Sequence, residues 1–550
     1  MIEKEFNLLN EPWILVMDHN GKQAKLSVKD VFRQAHMLKS LAGELPTQDI
    51  AILRLLLAIL HATFGRYDAE GNSSSISEQP GLSPSVAGQR WKTLWDKGKF
   101  PCNVIEKYLF DYEDRFWLFH PERPFYQVAA LAALNDMQKT SYTASKLNGE
   151  LSESSHKIRL FPQRTGSGKT SLDYDEAARW LIYVNAFDDA GGKPKTPDRP
   201  SPGKGWLGKL GLIIALGNNL FETLLLNFVL LQNGEAKLWN EEKPIWEDEQ
   251  VKSDERKEIV MPDNASQLYT LQSRRLLLKR AGRAIIGYSL LGGDFFKEEN
   301  AFSEQMTVWK KQQKKGASHD AFSPKRHDHT RQLWREFPSL VIQRPTKKRP
   351  GVVGWLAYLR ENKLLTSAHF RFQIASTQYD TKGSSVVDVF SDSISFSSDL
   401  LTNLGIGRLN RIIQELATTD LLVNQLWELA RGIAIAEGSS DGGHSGDAAR
   451  EQAYYRLDTS FREWLTSIKQ DDEIEDACKE WFIIAQRVVR HLGEELVHRS
   501  SPQAIIGHEI TVDPEKKEKR LYSAPKEYNR FLYNTKNRSS LEKFMKEVKE

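Results

Sequence analysis

The chain has 550 residues and a formal net charge of +3, from 76 Lys and Arg against 73 Asp and Glu, with 40% hydrophobic and 27% charged residues. That balance fits a folded protein with large cores and excludes global disorder and a bulk polycation, so any nucleic-acid binding must come from local patches. Two cysteines, Cys102 and Cys478, are too few for a disulfide scaffold or a cysteine-rich zinc module.

Trp13-Ile-Leu-Val-Met, the turn Asp18-His-Asn-Gly21 and Gln23-Ala-Lys-Leu-Ser predict a hairpin closed at Asn-Gly. Gln48–Phe64 is apolar on nearly every helical face and predicts a core helix. Gly71–Gly88, rich in Ser, Gly and Pro, reads as a surface loop. Two prolines in Phe116–Tyr126 argue for loop and edge strand. Ser152–Leu172 is polar and basic, and Tyr174–Phe187 is a predicted helix. Ala190–Lys209 is so dense in glycine, proline and lysine that regular structure is excluded, which leaves an ordered functional loop or a mobile one. Leu207–Leu231 is the richest apolar stretch, but Lys209, Asn218, Asn219 and Glu222 interrupt it. It predicts a buried helical hairpin or strand–helix pair, since a span needs about eighteen uncharged apolar residues. Trp309–Pro350 is basic, and Tyr379–Ser385 lies between apolar runs as a hairpin tip. The N-terminus has no long apolar run, so no signal peptide is expected, and the cytoplasm is the expected compartment.

Beyond about residue 395 the pattern turns helical. Leu409, Ile412, Ile413 and Leu416 recur at helical spacing, as do Leu422, Leu426, Leu429 and Ile433. Glu437–Gly446 reads as a flexible connection. Ala453, Leu457, Phe461 and Trp464 mark the next helix, and Cys478, Trp481, Ala485, Val488 and Leu492 another. Tyr528, Phe531, Leu541, Phe544 and Val548 mark the last. Short links between amphipathic segments predict an antiparallel four-helix bundle. The fold class is therefore α+β, with a mixed α/β domain over 1–390 and a bundle over 391–550.

Thr165-Gly-Ser-Gly-Lys-Thr170 looks like a phosphate-binding loop, in which backbone amides cradle phosphates and a lysine neutralises them. Gln163 stands where a small residue is needed, and the short Lys157-Ile-Arg-Leu-Phe-Pro run before it is a poor strand. A nucleic-acid-dependent ATPase built on Gly166–Thr170 stays as an alternative, beside a flexible basic loop able to touch a phosphate backbone. His319, Asp320, His327 and His329 could suggest a metal, but no further carboxylate stands at helical spacing, and a solvated loop is the expected reading. No metal, cofactor or catalytic constellation is expected. Pro202-Gly-Lys-Gly-Trp-Leu-Gly208 combines cations with side-chain-poor backbone, which suits close approach to a nucleic acid. A protein-docking scaffold is a third reading.

Several segments together resemble the large subunit of Cascade, the type I-E CRISPR RNA-guided surveillance complex. They are Phe6–Val16, His120-Pro-Glu-Arg-Pro-Phe-Tyr-Gln127, Glu176–Ile182 with Asn185 and Gly191-Gly192, Gln378–Lys382, and the closing bundle. The resemblance implies a non-catalytic subunit working with crRNA, other Cascade subunits, double-stranded target DNA and a recruited helicase–nuclease, with no membrane. It implies recognition of a protospacer-adjacent motif and the start of strand separation. Three elements would do this. The glycine loop falls on Gly203, Lys204 and Gly205, and the lysine finger on Lys297. The wedge hairpin falls on Lys382, Gly383 and Ser384, with glycine where the family has a glutamine. Either Lys382 takes over there, or the hairpin acts by backbone and bulk. Phe161, Gln163, Arg164 and Lys169 correspond to a loop near the crRNA 5′ end and the DNA.

Overall fold

The structure is a computed structural model that describes residues 4–77, 84–153, 157–194, 199–232, 237–312, 321–344, 347–513 and 518–541. His319, Asp320, Phe544 and Val548 lie outside the described residues. The chain divides into two compact units. The first is Met1–His329, Ser339–Thr366 and Arg371–Ser393, and the second is Thr330–Pro338, Ser367–Phe370 and Ile394–Glu550.

In the first unit, strands Ile14–Asp18 and Gln23–Leu26 form the expected hairpin, with Ile14 opposite Leu26 and Met17 opposite Gln23. Leu38–Leu41 adds a third strand beside Ile14–Asp18. Helix Pro46–Phe64 is the core element. Proline at its start sacrifices no helical hydrogen bond, and the side chains from Thr47 to Phe64 are buried except Asp49. Among the described residues it is the one helix long and apolar enough to cross a membrane, and it is buried inside the protein instead. The most membrane-like segment is thus this helix and not Leu207–Leu231, which folds as strand Leu212–Leu216 followed by helix Leu220–Leu226. The expected loop Gly71–Gly88 is cut short, because a helix begins at Pro84 and runs to Asp96. It forms there because Trp91 and Leu94 gain burial that polar composition alone does not reveal.

The second unit contains helices Ile406–Ala436, Gly443–Ser467 and Ile474–His498, packed together with the shorter Ala524–Asn534. Consecutive long helices in contact through short links must run antiparallel. Leu457, Phe461, Cys478, Trp481, Ala485 and Leu492 are buried at the predicted spacing. Val489 is buried on that face, whereas Val488 is half-buried. The Trp481 indole donates to Thr419 Oγ1 at 2.9 Å, which satisfies a polar atom inside the bundle. Two expectations change. The connection after Ala436 ends at Gly442, and a hairpin, His508–Asp513 with Glu518–Tyr522, precedes the last helix.

Candidate nucleic-acid interface

Helix Tyr174–Phe187 starts with Asp175 and Glu176 in its first turn, where carboxylates favour the positive end of the helix dipole. It ends at Asp188, and the chain leaves as Asp188-Asp189-Ala190-Gly191-Gly192. Those two carboxylates are buried, and three cations meet them. Arg274 Nε lies 2.5 Å from Asp188 Oδ2, Lys193 Nζ 2.7 Å from the same oxygen, and Lys146 Nζ 2.5 Å from Asp189 Oδ2. Burial pushes the Asp188 carboxyl upward, and Lys193, Arg274 and Lys146 overcome that and hold it below its usual range. Burial lowers Lys193 in turn.

This knot grips both ends of the glycine-rich excursion. Arg274 Nη2 donates to the Asp189 carbonyl at 3.1 Å and to the Gly203 carbonyl at 2.7 Å. Lys193 Nζ donates to the carbonyls of Asp189 and Gly191 at 2.6 and 2.8 Å. Gly205 N–H donates to the Asp188 carbonyl at 2.9 Å. At Gly205 only glycine fits, since a Cβ would lie 2.3 Å from the Ala186 carbonyl oxygen. Beyond it, Trp206 is buried, and its indole donates to Glu304 Oε2 at 2.8 Å. Glu304 is itself held by both terminal nitrogens of buried Arg54, at 2.7 and 2.9 Å.

The hairpin of strands His369–Tyr379 and Val386–Ser397 meets this loop. Asp380 shapes its tip: its Oδ1 accepts from Ser384 N–H at 2.7 Å, and its Oδ2 from the Ser384 and Ser385 hydroxyls at 2.8 and 2.9 Å. The Ser384 hydroxyl chiefly, then that residue's N–H and Lys157, hold the Asp380 carboxyl well below the usual range. Ala190 N–H donates to the Gly383 carbonyl at 2.8 Å, and Lys204 Nζ sits 4.6 Å from the centre of the Tyr379 ring. Lys157 Nζ reaches the same tip, 3.0 Å from both Asp380 Oδ2 and Ser384 Oγ.

Gly203, Lys204 and Lys297 line one open cleft of about 680 Å³, with Lys209 and Arg256 also on its wall. The cleft is not purely cationic. Glu258, Glu298 and Glu299 share it, and Lys209 pairs with Glu298 at 2.7 Å. Lys297 is exposed, as are Thr381 and Lys382 at the hairpin tip.

The loop after residue 157 divides. Phe161 is 92% exposed and Leu160 90%, so these apolar groups are presented to solvent, with exposed Gln163 nearby. Arg164 and Lys169 are not presented in this way. Arg164 pairs with Glu150 and Glu176 at 2.7 and 2.5 Å, and Lys169 with Glu153 at 2.6 Å. Gly166–Thr170 is not built as a phosphate-binding loop. Its helix is the single turn Ser167–Thr170, no strand among the described residues leads into it, and its lysine is spent on Glu153. The two described histidines of that group have structural neighbours: His327 Nε2 lies 2.9 Å from the Leu212 carbonyl, and the His329 ring lies tilted beside the Phe390 ring, with centres 6.1 Å apart. Among the described residues, no group of three His, Cys, Asp or Glu is placed to hold a metal ion. Asp188, Asp189 and Arg274 escaped the sequence reading. Two successive carboxylates at a helix end before Gly-Gly were the available signal, but nothing local says that Arg274 would meet them.

The sequence pattern that defines the family described as CRISPR-associated protein Cse1 matches residues 7–492. The chain belongs to the Cse1 family. This is the Cascade large-subunit family that its scattered segments resemble, and a Cse1 fold accounts for the mixed α/β region followed by packed helices. A CasA/Cse1 protein of Thermus thermophilus is 32% identical over 249 residues, an alignment spanning 44% of this chain and 42% of the relative's length. The crystal structure of Thermobifida fusca Cse1 superposes with a TM-score of 0.81 at 28% identity, over 98% of each chain. A chain from a structure described as a CRISPR RNA-guided surveillance complex shares the fold at 17% identity, with a TM-score of 0.67 over 98% of this Cse1-family chain and 100% of the other.

Proposed function

We propose that the chain is the non-catalytic large subunit of a crRNA-guided type I-E Cascade complex in the cytoplasm. In this reading it recognises a short protospacer-adjacent motif in double-stranded DNA, promotes local strand separation, and helps recruit the helicase–nuclease. Its partners are the other Cascade subunits, crRNA and the target duplex. One observation carries the reading. Gly203–Gly205, Lys297 and the tip Lys382–Ser384, separated widely in sequence, belong to one neighbourhood around a single cleft and one hairpin tip.

The physical logic is direct. The minor groove is narrow and its donor and acceptor pattern degenerate, so a short glycine loop and a lysine can enter where a helix cannot. Low discrimination suffices when base pairing carries the sequence, a division of labour known from another CRISPR effector. Opening one step opposes about 1–2 kcal/mol of stacking, a cost that a few phosphate contacts offset.

The test is to co-purify the chain with crRNA and the remaining Cascade subunits and to challenge the assembly with targets bearing a randomised flanking motif. Enrichment of a short motif that disappears when Gly203 is replaced by a bulky residue is the expected result. Equal retention of every flanking sequence overturns the reading.

A further inference from the structure

Gly383 sits at the tip of a hairpin and yet is buried, whereas its neighbours Thr381 and Lys382 are exposed. The cover is Lys204. A Cβ at position 383 would lie 2.9 Å from Lys204 Cε and 3.5 Å from its Nζ. The ammonium continues over the buried Tyr379 ring, 4.6 Å from its centre, and the Arg326 guanidinium lies 5.8 Å from the centre of the same ring. Tyr379 is held from below, since its hydroxyl donates to the Phe187 carbonyl at 2.6 Å. Gly208 makes room for that hydroxyl, because a Cβ there would come within 2.1 Å of it.

We propose that Gly383 and Tyr379 form a seat that holds Lys204 across the hairpin tip, so that the glycine loop and the hairpin present one cation to a nucleic-acid phosphate together. The inference rests on the functional reading above and names how that site is organised. A free lysine side chain loses rotamer freedom when it captures a phosphate. Seating it beforehand removes that cost from binding. Burial, with Arg326 next in effect, makes the charge on Lys204 harder to hold than on a solvated lysine. An approaching phosphate anion relieves that tension. Glycine at 383 is then the residue that leaves space for the lysine stem, and the missing side chain at the tip has a positive use.

Gly383 also has φ +70, so an alanine there strains the turn whether or not Lys204 is present. A double-mutant cycle separates the two effects. Assembled complexes carrying Gly383→Ala, Lys204→Ala or both are compared for opening of a motif-bearing duplex, read by a fluorescent base at the first target pair. Gly383→Ala is expected to slow opening about tenfold beside Lys204 and less than about twofold once Lys204 is already alanine. Equal losses in both backgrounds overturn the seat. Gly383→Asn fills the same space while tolerating positive φ, and covers the case in which the alanine variant fails to fold.

A second readout needs no DNA. In the full chain, amine-labelling of Lys204 above the ordinary lysine pKa, where exposure and not protonation sets the rate, followed by mass spectrometry with exposed Lys22 as internal reference, is expected to accelerate in Gly383→Asn. An unchanged rate overturns the proposal. Faster labelling together with normal target opening by Lys204→Ala overturns the phosphate contact proposed for the seated lysine, whereas loss of motif enrichment by the parent complex is what overturns the functional reading.

Discussion

At Arg274, one buried guanidinium serves a carboxylate, two backbone carbonyls of the helix end and the Gly203 carbonyl. Taking a charge out of water costs several kcal/mol, and this geometry offsets the cost only because each of these groups is well placed. Removing one partner of such a buried pair typically costs about 3–5 kcal/mol, so Arg274→Ala is expected to destabilise the chain by that order in urea unfolding. Arg274→Lys keeps the charge but not the fork that spans Asp188 and Gly203. It is expected to unfold nearer the parent midpoint and yet lose motif discrimination in the assembled complex. A lysine variant that discriminates normally would show that Arg274 holds the fold and not the loop. Lys204 and Gly205 could be singled out from sequence because Pro202–Gly208 combines cations with side-chain-poor backbone and the family resemblance puts the glycine loop there. Arg274 could not, because an arginine at the start of an apolar strand reads as a solvent-facing edge until its partner is known.

Among the elements, the helices and the loops were unequally legible. Tyr174–Phe187 is legible as a helix, and Gln48–Phe64 announces a core helix by being apolar on nearly every face, the structure adding only Pro46 and Thr47 at its start. The glycine-rich excursion announces only that it is irregular. Its conformation comes from what it packs against, and Gly205 shows how tightly. The contact is backbone on backbone, with no flexible side chain to yield. Gly205→Ala is therefore expected to cost about 1–3 kcal/mol by chemical denaturation, the usual range for overpacking. Gly168→Ala is the control. A Cβ there meets nothing within 4 Å, and its unfolding midpoint should stay with the parent. The apparent phosphate loop misleads for a related reason. A glycine-rich string matches a motif locally, while the strand that must precede it and the freedom of its lysine are tertiary properties.

Over the whole molecule, a net charge of +3 means that the proposed association with nucleic acid must rest on a few placed cations. Each neutralised phosphate contributes about −0.9 to the slope of log affinity against log salt. Replacing both Lys204 and Lys297 by alanine in the assembled complex is expected to flatten that slope by about 2 and to weaken target binding at low salt. An unchanged slope would place the phosphate contacts elsewhere. The sequence by itself determined the apolar helices, the hairpin at Asn-Gly, the helical character beyond residue 395 and the family resemblance, because periodicity and turn chemistry are local and survive in one dimension. Only the tertiary structure decided that Arg164 and Lys169 are spent on internal carboxylates, that Asp188, Lys193 and Arg274 lock the glycine loop, and that Lys204 covers Gly383. Whether a charge is neutralised or a glycine is crowded depends on which partners the fold brings to it, most of them far away in sequence, and folding alone chooses them.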